Sequence, residues 1–150
     1  MVVDRPGRSS ASAQRTPVRA GRILVTVTAW ISDELTRIEP IDELGLASRR
    51  SDGSLRRFVT IWFVRLGDDL YVRSAYGYDN PWFQRALASR DGRIRVGGME
   101  RDVTFVAPGA EVADDLNAAY HAKYDRHGAR IVGTVVSLEA MRSTLKVVPR

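Results

Sequence analysis

A chain of 150 residues, 44% hydrophobic and 27% charged, has the length of one domain and the composition of an ordinary globular protein. It contains no cysteine, which excludes disulfides, thiolate metal sites and thiol nucleophiles, and no apolar run nears the roughly 18 to 20 residues that cross a bilayer; a cytoplasmic protein without membrane contact is expected. The net charge of +5 is uneven: Arg5, Arg8, Arg15, Arg19 and Arg22 against Asp4 place +4 in residues 1–22, and the remaining +1 leaves no electrostatic footprint for nucleic acid.

Residues 1–27, rich in Arg, Ser, Ala, Pro and Gly, are expected to form a disordered basic tail, and residues 28–150 the folded domain. Val25 and Val27 each suit an alternative start codon, and translation is expected to begin there. Ser32, followed by Asp33 and Glu34, starts a short helix that Pro40 stops. Glu43 to Arg50 reads as a strand, Asp52-Gly53 as a turn, and Leu55 to Leu66 as a second strand. Its run Phe58 to Val64 is too continuously apolar for one wet face, so it belongs in the centre, buried on both sides. Gly67-Asp68-Asp69 turns the chain into a third strand, Leu70 to Ala75.

Asn80-Pro81 opens a short helix with Trp82, Phe83, Ala86 and Leu87 on one face, and Asp91-Gly92 ends it. Arg93 to Val96, Gly97-Gly98 and Asp102 to Val106 form a second hairpin. Val112, Leu116, Tyr120 and Tyr124 mark one stripe of a further helix that closes at Gly128, and Thr144 to Val148 is a final strand. Five or six antiparallel strands exceed what one covering helix can shelter. A small, mostly antiparallel α+β barrel, with a short helix between strands 3 and 4 and peripheral helices, abolishes the sheet edges.

Two histidines, six residues apart, provide no metal site; His121 and Asp125 suit a surface helix pair. There is no nucleophile elbow. The cluster Arg49-Arg50-Ser51 with Gly53, Arg56 and Arg57 around the first hairpin suits phosphate, or else a solvated hairpin tip. The segment Ser74 to Asn80 leads into a helix N-terminus, a second place where an anion is electrostatically welcome. Tyr71, Tyr76, Tyr78, Tyr120, Tyr124 and Trp82 offer ring faces for a flat ligand, or core-edge packing.

The stretch LASRRSDGSLRRFVTIWFVRLGDDLYVRSA followed by NPWFQRALASRDGRIRVGGMERDVTF resembles the deazaflavin-dependent nitroreductase branch of the split-barrel flavin-binding proteins over residues 46–106. Residues 28–150 are similar to a family of uncharacterised bacterial proteins of this size, in which the VTIW, DDLYVRSA, GG-x-E-x-DVTF and AAY-x-AKY segments recur. The resemblance implies a split barrel, a homodimer, and a flavin mononucleotide or deazaflavin cofactor serving oxidoreductase chemistry on a small molecule; the alternative is a non-catalytic ligand-binding or dimerisation module. It places Arg50, Ser51 and Gly53 at a phosphate-side turn and Ser74, Ala75, Asn80, Pro81 and Trp82 along the cofactor, with Tyr120 or Tyr124 as candidate proton donors. Arg49 stands where the family turn begins with glycine, and Ala75-Tyr76-Gly77-Tyr78 replaces a glycine-rich loop.

Overall fold

The computed structural model describes residues 29–150; the expectations for the tail and the translation start lie outside them. Six strands form a closed antiparallel barrel: β1 Glu43–Ser48, β2 Val59–Leu66, β3 Asp69–Arg73, β4 Asp91–Val96, β5 Met99–Val106 and β6 Thr144–Pro149. Around the barrel the order is β1-β2-β3-β6-β5-β4, with β4 pairing back onto β1. The helices are α1 Ser32–Ile38, α2 Pro81–Ser89, α3 Ala113–Tyr124, α4 Ala129–Val136 and α5 Leu138–Arg142. The small α+β barrel is therefore as the sequence predicts.

Inward-facing side chains of every strand fill the barrel, among them Leu44, Leu46, Phe63, Leu70, Val72, Ile94, Val103, Phe105, Leu145 and Val147. Trp30 joins this core and donates its Nε1–H to the Val147 carbonyl at 2.9 Å, so the folded domain includes Trp30. Leu35 and Ile38 of α1 pack into it near the β4–β5 turn, and Phe83 and Ala86 of α2 near the start of β4. A second apolar layer lies outside the wall, where Leu116, Tyr120 and Tyr124 of α3 and Val132 and Val135 of α4 cover Val64 and Tyr71. The expectation that the run Phe58 to Val64 is buried on both faces holds only at Phe63, in the inner core, and Val64, in the outer layer. Phe58, Val59, Ile61 and Trp62 are half-buried and Thr60 is exposed, because α3 and α4 cover only the second half of the strand.

Several local expectations need correction. The N-cap of α1 is Ile31, not Ser32; Glu34 reaches back to accept from the Ile31 N–H at 3.2 Å. β1 ends at Ser48 and β2 begins at Val59, with only an isolated Arg49–Leu55 bridge in the connection. Asn80 does hold the N-cap of α2, with Pro81 at the first helical position, but its side chain makes no capping bond. Asp91-Gly92 does not end α2. Arg90 does so in the left-handed conformation (φ 60°), and Asp91 and Gly92 open β4. Glycine is required there by close approach, since a Cβ on Gly92 would run into the Ala47 carbonyl oxygen and lie 3.0 Å from the Phe105 ring. α3 ends at Tyr124 and runs on through a 3-10 turn, Asp125–His127, that closes at Gly128 as expected; the same glycine caps the start of α4.

Candidate functional site

The outer face of the barrel carries a groove of about 390 Å³. Its floor is Val59, Thr60, Ile61 and Trp62 of β2 with Arg73 and Ala75 at the end of β3; Glu43, Asn80 and Trp82 also line it, and Ile131, Thr134 and Val135 of α4 form a wall. The volume falls in the range of small-molecule sites, and the lining is of the usual kind, apolar and aromatic with few polar groups. Tyr76, 81% exposed, and Ile131, at 50%, also line the groove and form its apolar rim. Trp62 is held flat: it stacks on Tyr124 with ring centroids 4.0 Å apart and an interplanar angle of 6°.

The backbone explains why Tyr124 sits there. β1 begins at Glu43, opposite Trp62, so the next residue of β2 has no strand on that side. The C-terminal end of α3 fills the gap. The Phe63 N–H donates to the Tyr124 hydroxyl at 3.1 Å, while the Phe63 carbonyl accepts from Tyr124 at 2.6 Å and from Lys123 Nζ at 3.0 Å. The Tyr124 hydroxyl also lies 2.7 Å from the Asp42 carbonyl. Half-burial above the Phe63 ring draws the Lys123 pKa down to about 8.

Neither tyrosine proposed as a proton donor reaches the groove. Tyr120 and Tyr124 are fully buried, and burial pushes both ionisations up. The Tyr120 hydroxyl has no partner among the described residues, and that of Tyr124 is committed to backbone. His121 and Asp125 form an exposed helix pair at 2.8 Å. Among the described residues no group of three His, Cys, Asp or Glu could hold a metal ion, and no helix is long and apolar enough to cross a membrane.

Residues 34–147 match the family described as an uncharacterized protein conserved in bacteria, DUF2255. The chain belongs to that family. No curated protein matches this DUF2255 chain. Among solved structures, its fold is similar to that of the conserved hypothetical protein Rv2991 from Mycobacterium tuberculosis, with a TM-score of 0.50 and 9% identity over 82% of this chain and 81% of that one. An F420 reductase aligns with a TM-score of 0.47 and 17% identity over 77% of this chain and 90% of the other. A FAD-binding protein from Mesorhizobium loti gives 0.46 and 12% over 81% and 89%.

In the DUF2255 barrel the sequence-derived site residues divide into two groups. Ala75, Asn80 and Trp82 line the groove, with Pro81 between the last two. Ser74 is fully buried beside them, its Oγ without a partner among the described residues. Arg50, Ser51 and Gly53 lie at the tip of the β1–β2 connection, beyond the Arg49–Leu55 bridge, and none of them lines the groove. That turn is internally bonded: Gly53 N–H to the Arg50 carbonyl at 2.9 Å, Ser54 N–H to Asp52 at 2.9 Å, and the Arg50 guanidinium to Ser54 Oγ and the Leu55 carbonyl. Arg49 is turned away into ion pairs with Asp91 and Asp102. Sequence reasoning missed Arg73, Glu43, Thr60 and the α4 wall. The run Ile131-Val132-Gly133-Thr134-Val135-Val136 is β-branched around a glycine and gives little local sign of a helix.

Proposed function

We propose that the groove holds the ring system of a flavin or deazaflavin, and that this cofactor serves oxidoreductase chemistry on a small molecule. The observation that carries the reading is the convergence of Trp62, Tyr76 and Trp82 on one groove at the N-terminus of α2. Trp62 and Trp82 offer ring faces, Ala75 leaves the floor low, and the uncapped first turn of α2 presents donors to an anionic group. The bound cofactor would supply hydride transfer; this chain's residues bind and orient it and keep water from its covered face. The resemblance of residues 46–106 to the split-barrel flavin-binding proteins supports the same assignment.

The turn at Arg50, Ser51 and Gly53 then meets only a ligand whose phosphorylated tail extends past Val59. The chain acts as a homodimer, the apolar rim at Tyr76 and Ile131 being the exposed surface nearest the groove; molar mass by light scattering tests this. The withdrawal of Tyr120 and Tyr124 favours a second reading, a ligand-binding module with no redox step. Titration of tryptophan fluorescence with flavin mononucleotide and a deazaflavin tests the site: saturable quenching is expected, and its absence with both ligands removes the cofactor reading. Turnover of the bound, reduced cofactor by candidate acceptors separates enzyme from module.

A further inference from the structure

Arg73 is 3% exposed, yet its hydrogen bonds go to neutral acceptors alone. Its Nε donates to Thr144 Oγ1 at 3.1 Å, Nη1 to the Val135 carbonyl at 2.9 Å and to Asn117 Oδ1, and Nη2 to the Ala113 carbonyl at 3.2 Å. Four of the five guanidinium N–H groups are used, leaving one on Nη2 without an acceptor among the described residues. No carboxylate among those residues pairs with it, and its nearest charge-related neighbour is the Tyr120 ring, 5.3 Å from the guanidinium carbon. A buried cation without a counter-charge is costly unless something answers it. Arg73 also lines the groove.

The register specifies what an answering group would look like. β2 and β3 pair Phe63 with Val72, and continuing by one residue puts Trp62 opposite Arg73, their side chains about 5 Å apart at Cβ. Trp62 and Arg73 are thus cross-strand neighbours, and both line the groove. A ring lying on Trp62 therefore sits next to the strand position that carries Arg73, and an anionic oxygen borne on that ring is a group that could answer the buried cation. Glu43, the acidic residue of the lining, stands on the far side of Trp62 and is exposed, so water and salt screen its charge while that of Arg73 stays unscreened.

We propose that the groove selects planar aromatic ligands bearing a ring-borne anionic oxygen, an arene carboxylate or a ring enolate, with Arg73 as the specificity-determining residue. This rests on the groove being the ligand site proposed above. The bonds from Arg73 to α3, α4 and β6 hold the guanidinium in place for that contact.

The test uses the full chain and a pair of isosteric probes, 2-naphthoate and neutral 2-naphthamide, followed by tryptophan quenching. The naphthoate is expected to bind at least tenfold tighter, with the preference retained in 0.5 M salt because the cation is buried. Arg73→Met should bring the two affinities within twofold, and Arg73→Lys should restore part of the difference. Equal affinities in the wild-type protein overturn the proposal, as does a preference that disappears in salt, and neither result needs a folded variant. If naphthoate shows no preference while flavin mononucleotide still quenches, only the charge selection falls. If no probe binds, the groove assignment falls with it.

Discussion

Replacing Tyr124 with phenylalanine tests how the barrel wall is completed where β1 stops. The ring, its 4.0 Å stack on Trp62 and its burial survive the change; only the hydroxyl is lost. The Phe63 carbonyl keeps Lys123 as a donor, but the buried Phe63 N–H loses its acceptor, and the one hydroxyl hydrogen within reach of the Phe63 and Asp42 carbonyls is lost. A buried donor left unsatisfied costs about 1–3 kcal/mol, and the second lost bond adds about 0.5–1. The expected destabilisation is therefore about 2–3 kcal/mol, a fall in Tm of about 8–12 °C for a domain of this size. Urea unfolding gives the first figure and a thermal melt the second. A loss below about 0.5 kcal/mol would refute the idea that this hydroxyl substitutes for a strand.

Three further outcomes follow from the same structure. Gly92→Ala forces a Cβ against the Ala47 carbonyl and the Phe105 ring, and should cost about 3 kcal/mol or more by chemical denaturation, far above the effect of alanine at the unobstructed surface helix position Gly133. Lys123 has its pKa lowered to about 8 from 10.5, so between those values the unfolded chain binds more protons than the native one and stability rises with pH. After allowance for its partial exposure the gain is about 1–2 kcal/mol from pH 8 to 10.5, and it should be missing from the pH profile of Lys123→Met. Arg50→Ala should weaken flavin mononucleotide severalfold and leave riboflavin, which lacks the phosphate, unchanged; equal effects on both would return Arg50 to the solvated hairpin tip.

The barrel was legible because its signals are local. Asp52-Gly53, Gly67-Asp68 and Gly97-Gly98 are turn pairs whose glycines do take positive φ, and Leu116, Tyr120 and Tyr124 repeat at the helical period and are all fully buried. What escaped depends on contacts distant in sequence. Gly92 looks like a helix stop until Ala47 and Phe105 are seen against it. Arg73 resembles any polar residue ending a strand, and nothing in DLYVRSA shows that α3, α4 and β6 will enclose it. The two tyrosines were noticed for their hydroxyls. In the fold the Tyr124 hydroxyl pairs with backbone and that of Tyr120 is buried without a partner among the described residues, while the face offered to a ligand belongs to Trp62, stacked on the Tyr124 ring.

The most direct test of the groove is to titrate flavin mononucleotide against wild-type protein, Trp62→Phe and Trp82→Ala while monitoring binding by the quenching of flavin fluorescence. The account predicts saturable binding to the wild type, weakened at least tenfold by Trp82→Ala and several-fold by Trp62→Phe, with melting temperatures lowered far less than proportionately. Flavin binding unchanged in both variants would place any ligand elsewhere and contradict the groove as the functional site.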